Sequence, residues 1–207
     1  MVAVTSLSST EQAAPIVVLA SGSGTLLQAI IDNQERYRVV AVVADVECFA
    51  LERAKQAGIP THIVPLEKGA DRHEWNLALA RTVERYEPTI VVSAGFMKIL
   101  GEGFLRTFEG RTINTHPALL PAFPGAHAVR DALNYGVRVT GSTVHFVDSG
   151  VDTGAIIAQR PVSIERGEDE SHLHERIKQV ERQLIVSVLN SAVTEKESGE
   201  VSFTHER

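Results

Sequence analysis

The sequence has a single cysteine, Cys48, among 207 residues. No internal disulfide can form, so nothing points to an oxidising compartment and the cytoplasm is the expected location. The thiol itself reads as a small buried apolar side chain. No stretch approaches the roughly 20 apolar residues that a membrane span needs, so no membrane partner is expected. Residues 1–14 have neither a basic start nor a long apolar run, and read as neither signal peptide nor anchor. Rich in Ser and Thr, this tail is expected to be disordered. There is no basic excess either: 20 Lys and Arg against 26 Asp and Glu give a formal net charge of -6. A nucleic-acid partner, which favours a basic face, is therefore not expected. Internal repeats are lacking too. What is present, 43% apolar and 22% charged residues, suits an ordinary globular domain with enough chain for a sizeable core.

Short apolar runs alternate with helical periodicities through most of the chain. Ile16-Val17-Val18-Leu19-Ala20 is apolar throughout, the mark of a strand buried on both faces of a parallel sheet. Ser21-Gly22-Ser23-Gly24-Thr25 follows, after which Leu26, Leu27, Ile30 and Ile31 recur at helical spacing. Strand, glycine-rich turn and helix start aim free N–H groups and a positive helix end at one spot, where a phosphate is the natural occupant. A tight turn with a serine cap is the plainer reading. Further strands are predicted at 39–44, 61–64, 88–93 and 112–115, and helices at 47–57, 71–86 and 126–135. Beyond these, 137–147 and 155–162 read as an antiparallel pair joined by an acidic, glycine-flanked loop. A last helix is predicted at 169–192, with Leu173, Ile177, Val180, Leu184 and Val188 on one stripe. The order predicts an α/β fold, a doubly wound, Rossmann-like, mostly parallel sheet with antiparallel C-terminal strands.

Ligands on such sheets bind beyond the carboxyl ends of the strands. The glycine turn, an apolar turn at 94–100 and the loop after residue 115 all fall there. In Thr112-Ile113-Asn114-Thr115-His116-Pro117, a strand runs into a proline-fixed loop, and Asn114 and His116 project to the same side. Two readings of the pair are open: loop carbonyls satisfied by polar side chains, or an amide and an imidazole serving a reaction. The apolar turn around Phe96 and Met97 is either core packing or the wall of a pocket for a flat ring. Arg72, in a helix's first turn, is either solvated or held for an anion. Asp148 and Asp152 suit turn formers, too few and wrongly spaced for a Ca²⁺ loop. His145 reads as a buried histidine bonded to a carbonyl. Glu181 borders the apolar stripe of its helix and either stays solvated or edges toward the pocket. Gly22-x-Gly24 with Asp45 ending the second strand also suggests a dinucleotide site, but Leu27 stands where that motif needs its third glycine.

Taken together, Ser21-Gly22-Ser23-Gly24, Ala94-Gly95-Phe96-Met97, Asn114-x-His116-Pro117-x-Leu119-Leu120-Pro121 and the 141–154 segment resemble the folate-dependent formyltransferase family. The closest likeness is to the branch that formylates glycinamide ribonucleotide. The likeness spans about residues 15–193. It implies one formyltransferase domain over 15–207, with a nucleotide-binding half at about 15–110 and a folate and catalytic half at about 111–207. It also implies 10-formyltetrahydrofolate as co-substrate, no metal, small-molecule partners, and a homodimer.

Carried over position by position, the resemblance makes Asn114, His116 and Asp152 catalytic. Asn114 would donate to the oxyanion. His116 would stabilise it and move protons. Asp152 would favour the imidazolium. Backbone N–H groups of Gly24, Thr25 and Leu26 would hold the ribonucleotide phosphate, and Glu181 would face the glycinamide end. Met97, Lys98, Ile99, Leu100 and Asn114 would contact the folate, with Arg72 and Lys98 suited to its anionic glutamate tail. Two departures stand out: Leu26 replaces a frequent Asn, and Lys98 replaces a frequent Arg. The second exchanges a bidentate fork for a point charge. Formyltetrahydrofolate hydrolase carries an extra N-terminal domain, and methionyl-tRNA formyltransferase has an extra C-terminal one; neither is expected here. A ribonucleotide-binding module without catalysis would need the glycine turn but not the Asn114, His116 and Asp152 set.

Overall fold

The computed structural model of the chain describes residues 13–194 and 201–204. Of the tail expected at 1–14, residues 1–12 lie outside them; Ala14, expected in that tail, instead opens the first strand, two residues ahead of the apolar run that predicts it. β1 (Ala14–Ala20) is buried from Ile16 onward because other elements cover both its faces. Ile16 and Val18 join one apolar cluster, while Val17 and Leu19 join another. The period-two alternation of a strand thus feeds two cores from one apolar run.

α1 (Thr25–Asp32) lays Leu26, Leu27 and Ile30 on the first of these faces. β2 (Tyr37–Ala44), α2 (Phe49–Gln56) and β3 (Thr61–Ile63) follow. Gly58 takes φ +70 just past α2 and returns its N–H to the Lys55 carbonyl at 3.0 Å, a stop that a β-carbon would strain. α3 (Arg72–Glu84) starts at Asp71, whose carboxylate accepts the N–H groups of His73 and Glu74. Such a cap is worth about 1 kcal/mol. β4 (Ile90–Ser93), the single-turn α4 (Glu102–Leu105) and β5 (Thr112–His116) complete the parallel part. α5 (Ala128–Tyr135) leads to β6 (Val139–Phe146) and β7 (Ile156–Ser163). α6 (Glu170–Asn190) then crosses the first face with Leu184, Ile185 and Val188, and β8 (Ala192–Thr194) pairs with β9 (Val201–Phe203).

The seven-stranded sheet has the order β3-β2-β1-β4-β5-β6-β7. The first five strands are parallel; β6 runs antiparallel to β5, and β7 to β6. The predicted doubly wound sheet with antiparallel C-terminal strands is the observed one. α4 and the β8–β9 pair were not predicted, being one turn and two three-residue strands with no room for a periodic signal. Chain order reverses between β1 and β4, so the connections after those strands part and leave a crevice at their carboxyl ends.

Leu27 is fully buried under α1 at the position where a dinucleotide-binding chain places glycine. Its side chain holds the helix off the sheet. Leu27→Ala is expected to cost about 2–5 kcal/mol in chemical denaturation, the range for an uncollapsed core cavity. A loss below about 1 kcal/mol would mean that α1 settles onto the strand and that the spacing is not set by this residue.

Candidate active site

Two helix starts shape the glycine-rich turn after β1. The Gly22 carbonyl accepts the Ala50 N–H of α2 at 3.1 Å, and the Ser23 carbonyl accepts Arg53 Nε–H at 2.8 Å. Because peptide units are planar and trans, carbonyls drawn toward α2 send the following N–H groups, those of Ser23 and Gly24, the other way. Gly24 has φ +70, and a β-carbon there would sit 2.6 Å from Ala50 Cα, so no other residue fits. The first turn of α1 adds the N–H groups of Thr25 and Leu26, which have no carbonyl one turn back. The Leu26 side chain is buried, leaving only its backbone to serve a ligand.

Asn114 and His116 end β5 on the same side, and the antiparallel register sets His145 of β6 opposite Asn114. The His116 backbone is still paired, with Thr143, so the imidazole sits on the sheet and not in the loop. Thr143 Oγ1 donates to the Ala118 carbonyl at 2.7 Å and accepts the Leu120 N–H at 3.1 Å, pinning the segment that leaves the strand. That segment returns the Phe123 carbonyl to His116 Nε2 at 2.8 Å.

Asp152 comes from the β6–β7 connection, with φ +55, a left-handed conformation that Asp tolerates better than most residues. Its Oδ2 accepts the Gly125 N–H at 2.8 Å and lies 3.3 Å from His116 Nδ1, while Oδ1 lies 3.6 Å from His145 Nε2. His116 thus faces an oxygen acceptor on each nitrogen, an arrangement that only the doubly protonated ring satisfies on both sides. His145 differs. Burial pushes its imidazole below the ordinary range, against the pull of the Phe146 carbonyl and Asp152. With Nδ1 donating to Phe146 O at 2.8 Å, neutral His145 offers a lone pair at Nε2 to the Asn114 amide, 3.3 Å away. Asn114 then keeps its second amide hydrogen for a ligand.

Beside this cluster opens a cavity of about 240 Å³. One wall is the segment after β4, which alternates. Phe96 and Leu100 turn into the core, Phe96 stacked on Trp75 at 6.3 Å, while Met97 and Ile99 are 73% and 64% exposed. Val147, Asp148 and Val151 form the facing wall. Exposed apolar side chains concentrated at one cleft mark a binding groove. Asp148 serves as the turn former expected of it, accepting from Gly150 N–H and Thr153 Oγ1. Arg72 donates to the Ile99 carbonyl at 2.9 Å from the rim. Lys98 is not a free cation: its ammonium lies 2.9 Å from Asp45 Oδ2.

Thr115, between Asn114 and His116, points to the opposite side of the sheet, where its hydroxyl faces the Glu181 carboxyl of α6. Burial raises the Glu181 carboxyl above its ordinary value more strongly than Thr115, Lys178 and Arg182 lower it. Glu181 is therefore joined to the strand that carries Asn114 and His116, but from the other face.

Two residues of this region were missed in the sequence. His145 was read only as bonded to a carbonyl, which it is; its hold on Asn114 depends on the β5–β6 register. Asp45 was read only as the acid of a dinucleotide site. Both its oxygens are committed, to the Ser21 hydroxyl at 2.5 Å and to Lys98, and with Leu27 buried nothing of that reading remains. Among the described residues, no group of three or more His, Cys, Asp or Glu could hold a metal, and no helix is long and apolar enough to cross a membrane.

Comparison with known proteins agrees with this geometry. The family model described as formyl transferase matches residues 14–189. The chain is 53% identical over 184 residues to the phosphoribosylglycinamide formyltransferase of Mycobacterium tuberculosis (strain H37Rv), covering 87% of this chain and 86% of that protein. It is 38% identical over 180 residues to the enzyme of the same name from Escherichia coli (strain K12), covering 84% and 85%. The crystal structure of glycinamide ribonucleotide transformylase 1 from Symbiobacterium toebii superimposes with a TM-score of 0.85 at 36% identity, over 93% of this chain and 95% of that one. By its matched span, its sheet order and its likeness to these enzymes, the chain belongs to the formyl transferase family.

Proposed function

We propose that the chain transfers the formyl group of 10-formyltetrahydrofolate to the amine of glycinamide ribonucleotide, a step of purine synthesis that leaves tetrahydrofolate. One observation carries the reading: Asn114, His116 and Asp152 meet, with His116 Nδ1 3.3 Å from the carboxylate, beside the exposed apolar wall of Met97 and Ile99. The amine nitrogen bonds to the formyl carbon and the carbonyl electron pair moves onto oxygen. That pair then returns and the bond to the folate nitrogen breaks. Over the whole step the amine loses one proton and the folate nitrogen gains one.

Each residue has a part suited to its surroundings. Asn114, fixed by His145, donates its remaining amide hydrogen to the oxyanion; one such donor is worth about 10²–10³ in rate. His116, held between the Phe123 carbonyl and Asp152, supplies positive charge to the same oxygen when doubly protonated, and a proton for the leaving nitrogen. The phosphate of the ribonucleotide sits on the N–H groups of Gly24, Thr25 and Leu26, where the helix dipole adds its attraction. Glu181 meets the glycinamide end. Met97, Ile99 and Leu100 hold the folate ring system, and Arg72 meets its glutamate tail. Lys98, engaged by Asp45, contributes its stem and backbone.

Following folate absorbance with and without ribonucleotide tests the reaction: turnover is expected only with both substrates, and turnover without the acceptor would make the protein a hydrolase. Asp152→Asn should stay folded and lose about 10²–10⁴-fold in kcat, because the amide cannot hold the imidazolium. Near-normal turnover of a folded Asp152→Asn protein removes Asp152 from the chemistry.

Glu181 gives a second measurement with opposite effects on stability and binding. Its folded carboxyl titrates above the ordinary value of 4.5, so the stability it contributes is complete below that value and is lost as pH rises through the raised one. Glu181→Gln keeps a partner for Thr115 without the buried charge. The variant is expected to melt higher than wild type at neutral pH, with the gap closing toward acid, while its KM for the ribonucleotide rises. An unchanged KM would show that Glu181 does not read the substrate.

A further inference from the structure

Three strand ends converge on one carboxylate away from the proposed catalytic cluster. Asp45, at the end of β2, is 7% exposed. Its Oδ1 accepts the hydroxyl of Ser21, the residue between β1 and the Gly22–Gly24 turn, at 2.5 Å. Its Oδ2 takes the Lys98 ammonium, from the segment after β4, at 2.9 Å. The Ser21 hydroxyl oxygen in turn accepts the Met97 N–H at 2.8 Å, and the Ser21 N–H donates to the Gly95 carbonyl at 3.2 Å. Burial pushes the Asp45 carboxyl up, but the Ser21 hydroxyl and Lys98 ammonium together outweigh it and hold the group below the ordinary carboxylate range. The carboxylate is therefore charged and fully occupied at neutral pH.

The partners belong to different binding surfaces. Ser21 adjoins the phosphate turn. Met97 and Lys98 belong to the wall of the apolar cavity, which exposes Met97 and Ile99 on one side and roots Phe96 and Leu100 in the core on the other. Phe96 and Leu100 anchor the segment in the core, and between those anchors the polar tie to Ser21 and Asp45 sets where Met97 and Ile99 stand. A ligand that stills the phosphate turn stills Ser21. The hydroxyl and carboxylate carry that constraint to Met97 and Lys98 through three hydrogen bonds. Ordering costs shared in this way are spent once when both ligands bind, which is positive coupling between the two sites.

We propose that Asp45 is a positioning residue that joins the two substrate loops, so that binding of the ribonucleotide and binding of the folate each tighten the other. The idea rests on the formyl-transfer reading only in taking the two loops as the two substrate sites. It also gives the Lys98 position a reason: a compact ammonium on a flexible stem reaches the buried carboxylate as a point charge.

Isothermal titration of the whole protein with glycinamide ribonucleotide and with tetrahydrofolate, which carries no formyl group and cannot turn over, gives each dissociation constant alone and with the other ligand saturating. In wild type each ligand is expected to tighten the other by the same factor, about 5-fold or more. Asp45→Ala and Lys98→Met should lower that factor toward one, and Lys98→Arg, which keeps the cation, should restore it. A merely structural role for the pair would weaken binding or lower the melting temperature without changing the factor. If Asp45→Ala fails to fold, Lys98→Met, altered at a partly exposed side chain, decides alone. Coupling that persists in folded Lys98→Met, or two ligands that bind wild type independently, overturns the bridge and leaves the transfer reaction standing. Failure of wild type to bind either ligand overturns the functional reading and the bridge with it.

Discussion

The Asp152 carboxylate, set between the rings of His116 and His145, is the interaction on which the rest of the site depends. The His116 ring meets an acceptor on both nitrogens, whereas His145 stays neutral under the weight of its burial. Asp152 Oδ2 is aimed at the His116 ring, while Oδ1 lies 3.6 Å from His145 Nε2. The left-handed backbone at Asp152 and the Gly125 N–H supply the aim. Left-handed backbone in a non-glycine residue costs free energy that the surrounding bonds must offset, and such strain gathers at functional positions. The nearby Gly154 lets the loop pass close to the Phe146 carbonyl, where a β-carbon would collide.

Neutral His145 then has a second consequence. A charged ring would have no lone pair at Nε2 and would turn the Asn114 amide away; the neutral ring accepts from it and fixes which hydrogen remains. The proposed oxyanion donor is in this way oriented by His145, and the proposed proton donor by Asp152 and the Phe123 carbonyl. The antiparallel β5–β6 pair makes this possible by facing Asn114 with His145 and His116 with Thr143. A parallel neighbour would have arrived by a crossover, and the short acidic loop that carries Asp152 would not lie at this end of the sheet.

How much of this was legible before the fold was known follows from the range of each signal. Apolar runs such as Ile16 to Ala20 and the stripe on α6 are local patterns, and they sufficed for the sheet and its winding. Asn114 and His116 were legible as a pair because two residues along a strand always share a side. Asp152 was locally indistinguishable from a turn former, as Asp148 proved to be, and only the resemblance to a family set it apart. Lys98 and Arg72 were read, through the resemblance, as partners for an anionic glutamate tail. Their partners, Asp45 and the Ile99 carbonyl, are supplied by strand order and by the fold of the loop. His145 was underread for the same reason, since a hydrogen bond across two strands is a fact of register.

Asp45 and Asp152 repeat one device at two points of the crevice. Each ends a strand or follows one, and each is nearly removed from solvent. Each also meets partners from separate segments: Ser21 and Lys98 for the first, the Gly125 N–H and the His116 ring for the second. A buried carboxylate is costly when alone and tolerable when it is paired, so the partners cannot leave without exposing the fold to that cost. The loops of a doubly wound sheet have no ladder to fix them past the last strand bond. Two paired acids perform that task here, and they do so where the proposed substrates would lie. The same sheet order that opens the crevice therefore also brings together the groups that keep its walls in place.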